Sequence, residues 1–146
     1  MNSEMQRGCY TTTVTDGDSY DWVAERAACS LAVIFATLKQ QVKEDVKKRT
    51  DLRSPEASYR FTFSDHGDGF FVGLDATPPH ATSIHFSIMF RRGLKTIEVS
   101  GDGIKAFEAT PTVNDEGECR LKVNGVEREF WQVRRMALEK LFFETV

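Results

Sequence analysis

A helical stretch from Tyr20 to Arg49 carries two apolar stripes on opposite sides, and no other pattern in the chain constrains the fold as strongly. The broad stripe consists of Tyr20, Val23, Ala27, Leu31, Ile34, Leu38 and Val42. The narrow stripe consists of Trp22, Cys29, Val33 and Ala36. A helix at the surface of a single domain needs only one stripe to pack on its core. We therefore expect the broad stripe to face the core and the narrow stripe to contact another chain.

The two ends of this helix also carry signals. Asp18 and Ser19 are suitable N-cap residues ahead of the first apolar position. The far end is basic, with Lys43, Lys47, Lys48 and Arg49. Positive charge stabilises a helix C-terminus, so we interpret this run as a solvated face that compensates the helix dipole.

The region 58–128 changes to the two-residue periodicity of β-strands. In its clearest part, Ile84, Phe86, Ile88 and Phe90 alternate with His85, Ser87 and Met89. Short turns connect such runs, among them Asn124-Gly125, a strong hairpin signal. Strands joined by short turns pair antiparallel, so the region predicts a meander of about six strands.

A second amphipathic helix is predicted over 129–144. Its apolar face comprises Phe130, Val133, Ala137, Leu138 and Leu141. Arg134 falls inside that face, where an arginine either extends to the edge, pairs with a carboxylate or anchors an anion in a pocket. The predicted fold is a two-layer α+β domain, in which the long N-terminal helix and the C-terminal helix pack on one face of the meander.

The predicted organisation is a single domain over residues 1–146, a length that supports a full-sized core. Residues 1–17 form a polar tail or an edge strand, and 18–50 contain the long helix. The meander occupies 58–128, and the C-terminal helix occupies 129–144.

Composition excludes several classes of function. The net charge of −3 argues against a general nucleic-acid binder, which needs a basic surface. The longest apolar run, Ala27 to Leu38, is too short to cross a bilayer. Cys9, Cys29 and Cys119 are scattered without a CxxC pair, which indicates reduced thiols. We therefore expect a soluble cytoplasmic protein without a membrane partner.

No motif for catalysis, a metal or a cofactor stands out in the sequence. His66, His80 and His85 lack the spacing of a zinc site. No serine lies in a nucleophile elbow, and the glycine-rich turns lie between strands rather than ahead of a helix. We predict no cofactor and no metal, and we lean against an enzyme.

The narrow stripe favours a binding or scaffold domain that forms a homodimer through Trp22, Cys29, Val33 and Ala36. The alternative occupant of that stripe is the chain's own tail, through Tyr10 and Val14. A second function stays open, in which Arg134, Tyr59 and His66 line a pocket between helix and sheet for a small apolar ligand or a simple reaction. A third is an acidic accessory protein that acts on a partner polypeptide.

Overall fold

The computed structural model describes residues 19–76 and 84–146. Its helices are α1 (Trp22–Ala28), α2 (Leu31–Asp51) and α3 (Phe130–Glu139), and α3 continues into a π-helical turn, Lys140–Glu144. Its strands are β1 (Tyr59–Asp65), β2 (Gly69–Ala76), β3 (Ile84–Arg92), β4 (Ile97–Gly101), β5 (Phe107–Val113), β6 (Cys119–Val123) and β7 (Val126–Arg128). The predicted tail or edge strand over 1–17 falls outside the described residues. For the described residues, the predicted order of helix, meander and helix is confirmed.

The strands form one antiparallel sheet in which each pairs with its neighbour in sequence, from β1 to β7. This is the predicted meander, with the short strand after Asn124-Gly125 as its seventh member. Asn124 itself adopts φ 53°, the left-handed conformation that such a two-residue turn requires. The register places Phe70 opposite Phe90, and their rings stack with centroids 4.7 Å apart.

Helices α2 and α3 cover one face of this sheet. From α2, Ile34, Leu38 and Val42 are buried in the same core as Val133 and Leu138 of α3. The opposite face of the sheet is polar, and His85, which alternates with the apolar residues of β3, has an exposed side chain there. Within the described ranges, no helix has both the length and the apolar character needed to cross a lipid bilayer.

The long N-terminal helix is confirmed as α2, but its predicted first turns form the separate helix α1. Ser30 is extended, with φ −78° and ψ 158°, and its Oγ accepts a hydrogen bond from the Val33 N–H at 3.3 Å. Ser30 is therefore the N-cap of α2, a role that serine performs better than a helix interior. The helix is interrupted at this point, and none of the residues of α1 is buried. The expectation that the broad stripe reaches the core holds from Leu31 onwards and is wrong for Tyr20, Val23 and Ala27.

The turn between β1 and β2 is attached to α2 through Asp65. Asp65 Oδ1 accepts hydrogen bonds from the Gly67 N–H at 2.9 Å and from Lys39 Nζ at 3.0 Å. The Gly67 N–H, followed by the Lys39 ammonium, lowers the pKa of the Asp65 carboxyl below its usual range. The folded state therefore favours the ionised form of Asp65 more than the unfolded chain does.

We predict that this contact makes part of the free energy of unfolding depend on pH. A lowered folded-state pKa means that the stabilisation is fully present above the ordinary aspartate range and is lost as the pH falls through the folded value. Asp65→Asn should reduce the steepness of acid unfolding, measured by circular dichroism between neutral pH and pH ~2. Asp115→Asn, at an exposed position, is the matched control. An equal effect of both substitutions would contradict the prediction.

Candidate functional site

The four residues of the predicted interface do not form one stripe. Trp22 lies on α1 with 65% of its surface exposed, and Val33 lies on α2 with 48% exposed. Ala36 is exposed as well, but Cys29 is buried at the junction between the helices. The seven-residue spacing assumes a continuous helix, and the N-cap at Ser30 interrupts it. What remains at the surface are two apolar patches, one on each helix.

Cys29 is buried because it forms a disulfide with Cys119 of β6. The two Cα atoms are 5.6 Å apart, and the cysteines are 90 residues apart in sequence. The prediction of reduced thiols is therefore wrong for this pair. Spacing in sequence could not reveal the pairing, since it arises where the end of α1 meets the start of a strand far along the chain. Cys9 falls outside the described residues.

The disulfide attaches the end of α1 to the sheet. At the other end of the helix, the Tyr20 hydroxyl donates a hydrogen bond to the Gly117 carbonyl at 2.9 Å. Desolvation, with the charges of Glu25 and Asp21 adding to it, raises the pKa of this hydroxyl, so it stays protonated as a donor. Gly117 has φ 79°, and a Cβ there would collide with the Tyr20 ring. A helix of seven residues is not stable alone, so these attachments fix its position.

A groove of about 500 Å³ lies beside α1, and we call it the α1 groove. Its walls come from the end of α1, the first half of α2 and the start of α3. Glu25 of α1, Val33 of α2 and Trp131 of α3 are among the residues that line it. The groove is open to solvent and has the disulfide as part of its wall.

The three residues predicted to bind a small ligand lie in different environments. Arg134 Nε contacts Asp45 Oδ2 at 2.6 Å, and its Nη1 contacts Gln41 Oε1 at 2.8 Å. Both partners are on α2, so Arg134 joins α3 to α2. Of the roles left open for Arg134 by the sequence, this is the pairing with a carboxylate. The Tyr59 hydroxyl contacts Arg49 Nη2 at 3.3 Å. Arg134 and Tyr59 are thus both in contact with α2.

His66 does not join them. It follows β1 at the end opposite to Tyr59, which puts the two about 20 Å apart along an extended strand. Its Nε2 lies 3.1 Å from Ser64 Oγ, and its ring packs edge-on against Phe71 with centroids 5.0 Å apart. The structure places His66 in a solvated hairpin turn rather than in a site shared with Arg134 and Tyr59.

The polar face of the sheet carries ion pairs that link side chains of neighbouring strands. Asp75 contacts His85 and lies 3.9 Å from Arg60 Nε, as expected for residues directly opposite one another in the register. Among residues 19–76 and 84–146, no group of three His, Cys, Asp or Glu side chains converges as a metal site would require. His80 is not among the described residues.

Arg49 is the residue whose role sequence reasoning missed. It is 8% exposed, and it is the one charged side chain classed as buried in the described part of the chain. The signal was available, because Arg49 follows Val42 by seven residues and so continues the broad apolar stripe of the helix. Because Arg49 adjoins Lys47 and Lys48, it was predicted to be solvated with them, and its place on the apolar stripe was overlooked.

Comparisons of this chain with protein-family models, with curated proteins and with solved structures found no match.

We predict that the disulfide contributes about 2–5 kcal/mol to the free energy of unfolding, because it closes a long loop in the unfolded chain. Cys119→Ser should lower the denaturation midpoint by a corresponding amount, measured with urea under non-reducing conditions. Cys9→Ser is the matched control and should leave the midpoint unchanged.

Thiol titration checks the same bond directly. The unreduced protein, unfolded in denaturant, should expose one thiol, and the reduced protein should expose all three cysteines of the chain. Three reactive thiols in protein purified without reductant would contradict the pairing.

Proposed function

We propose that this protein is a self-associating binding domain and that α1 docks on a second copy of the chain. The observation that carries the proposal is the exposure of apolar residues on α1. Trp22 is 65% exposed and Val23 is 58% exposed, while no residue of the helix is buried. Two large apolar side chains side by side on an anchored surface helix are characteristic of a contact surface.

A second copy is favoured because the exposed tryptophan and the α1 groove lie on the same helix. In a two-fold arrangement, each chain offers the same surface, so each Trp22 can enter the groove of its partner beside Val33. The contact then closes on itself and forms a dimer rather than a fibre.

The charges of α1 suit the same arrangement. Glu25 and Arg26 are adjacent at the middle of the helix, and neither forms an ion pair with a described residue. A two-fold axis that passes between them sets each Glu25 against the Arg26 of the other copy. Opposite charges at matching positions favour the correct pairing and its register.

The disulfide bears on where such a domain works. Disulfides persist in oxidising compartments and are rare in the cytosol. The cytoplasmic location stays a prediction, and the Cys29–Cys119 bond weighs against it. Alkylation of free thiols in intact cells, followed by counting of the modified cysteines, distinguishes the cytosol from an oxidising compartment, because Cys29 and Cys119 are modified only where their disulfide is reduced.

We predict that the purified protein has twice the 16.5 kDa mass of one chain. Trp22→Ala and Val33→Glu should each yield the single-chain mass, because the first removes the inserted side chain and the second places a charge in the groove that receives it. The measurement is light scattering coupled to gel filtration over a range of concentrations. Leu94→Glu, at a fully exposed leucine in the turn between β3 and β4, is the control and should keep the dimer.

Charge exchange tests the two-fold geometry itself. Glu25→Arg and Arg26→Glu should each weaken the dimer, and the double substitution should restore it, since every opposite-charge pair is then re-formed with its signs exchanged. A single-chain mass for the unsubstituted protein at all concentrations would refute self-association. Failure of the double substitution to restore the dimer would refute the two-fold contact at α1.

A further inference from the structure

A second groove, of about 400 Å³, lies between the end of α2 and α3, and we call it the Arg49 groove. Its volume is within the range of small-molecule sites, about 300–1,000 Å³. Its walls include the apolar residues Leu52, Trp131, Leu138, Phe142 and Phe143. The site is separate from the surface of α1 on which the proposed dimer depends, although Trp131 and Arg134 border both grooves.

Arg49 lies in this groove with its charge unpaired. Its Nε donates to the Phe142 carbonyl at 2.8 Å, and its Nη2 donates to the Tyr59 hydroxyl at 3.3 Å. Among residues 19–76 and 84–146, no carboxylate is close enough to form an ion pair with it. Arginine cannot lose its proton inside a protein, so the buried guanidinium carries a full charge.

Aromatic rings compensate part of that charge. The guanidinium carbon lies 4.9 Å from the centroid of the Phe61 ring and 5.1 Å from that of Phe143. Such contacts stabilise a cation, but they do not satisfy its hydrogen-bond donors. Nη1 donates to no described residue, and it is not among the fully enclosed polar atoms. Nη1 therefore keeps accessible surface and N–H groups without an acceptor among the described residues, in a residue that lines the groove.

The other charges of the groove leave it positive. Two carboxylates line it, and each is already paired with an arginine of α3: Asp45 with Arg134 at 2.6 Å, and Glu139 with Arg135 at 3.1 Å. Lys48 and Arg49 remain without a counter-ion among the described residues. An anion that enters the groove meets two uncompensated cations, of which Arg49 is the desolvated one and so interacts more strongly.

We propose that the Arg49 groove binds a small amphipathic carboxylate, with its carboxylate on Arg49 and its apolar part against Trp131, Leu52 and Phe143. The last three side chains are 49%, 75% and 60% exposed, so a ligand would cover apolar surface that otherwise faces water. A carboxylate supplies the acceptor that Nη1 lacks and the negative charge that the buried guanidinium lacks. A neutral apolar molecule would contact the apolar walls but would leave the charge and the Nη1 donors of Arg49 without a partner.

The test uses decanoate and the matched alcohol decanol, titrated by calorimetry below the concentration at which decanoate forms micelles. Decanoate should bind the unsubstituted protein about tenfold more tightly than decanol, or better, as expected for a hydrogen bond to a charged group. Arg49→Met should abolish this preference, and Arg49→Lys, which keeps the charge without the planar fork, should reduce it. Equal affinity for the two probes in the unsubstituted protein would overturn the proposal.

A second pair of variants keeps the test decisive if Arg49→Met does not fold. Leu52→Asp places a negative charge at the exposed rim of the groove and should weaken decanoate binding about tenfold or more. Leu94→Asp places the same charge at a remote exposed leucine and should leave binding unchanged. Decanoate that binds both variants equally would overturn the proposal. A change in molar mass with Leu52→Asp, without decanoate binding, would instead assign the groove to a contact between copies and would also overturn it.

Discussion

The packing of α2 along the apolar face of the sheet is the interaction on which the rest of the molecule depends. Its buried residues run in one line from Ile34 through Leu38 and Val42 to Val46, and Phe35 beside them packs against Phe70 of the sheet with ring centroids 5.4 Å apart. Helix α3 packs on the same face and joins α2 through the Arg134–Asp45 ion pair. Both grooves depend on this arrangement, because each is lined by residues of α2 and of α3.

The two ends of α2 are specialised in opposite ways. At the N-terminal end, Ser30 stops the helix and Cys29 is bonded to the sheet, so α1 is fixed with its apolar side chains exposed. At the C-terminal end, the apolar line of α2 ends in a charged residue, Arg49. Burial of a full charge is costly unless it is compensated, and here a carbonyl and three aromatic rings compensate it only in part. The exposed apolar side chains of α1 and the buried charge of Arg49 are thus two features that the packing of the domain alone does not require.

Neither feature is part of the sheet, which is the most regular part of the structure. Its exposed face is polar and carries ion pairs across neighbouring strands, such as that of Asp75 with His85 and that of Arg91 with Glu98. Pairs of this kind on a solvated surface contribute little to stability individually, and they fit a face that stays in water. The apolar surface available for binding is therefore concentrated around the helices.

The local pattern of the sequence is sufficient to predict the sheet, its strand order and the face that it buries. Alternation of apolar and polar residues is a local property, and short turns such as Asn124-Gly125 leave adjacent strands little choice of partner. It also determined most of α2 and α3, since their apolar positions recur at helical spacing. The sequence did not determine the break at Ser30, because a serine inside an apolar helical pattern is compatible with both an interior and a cap. That break and the Cys29–Cys119 bond are seen in the three-dimensional structure alone, whereas the burial of Arg49 could be inferred from its place on the broad apolar stripe, seven residues after Val42. The disulfide depends on which distant residues meet, and a chain's local pattern carries no information on contacts across 90 residues.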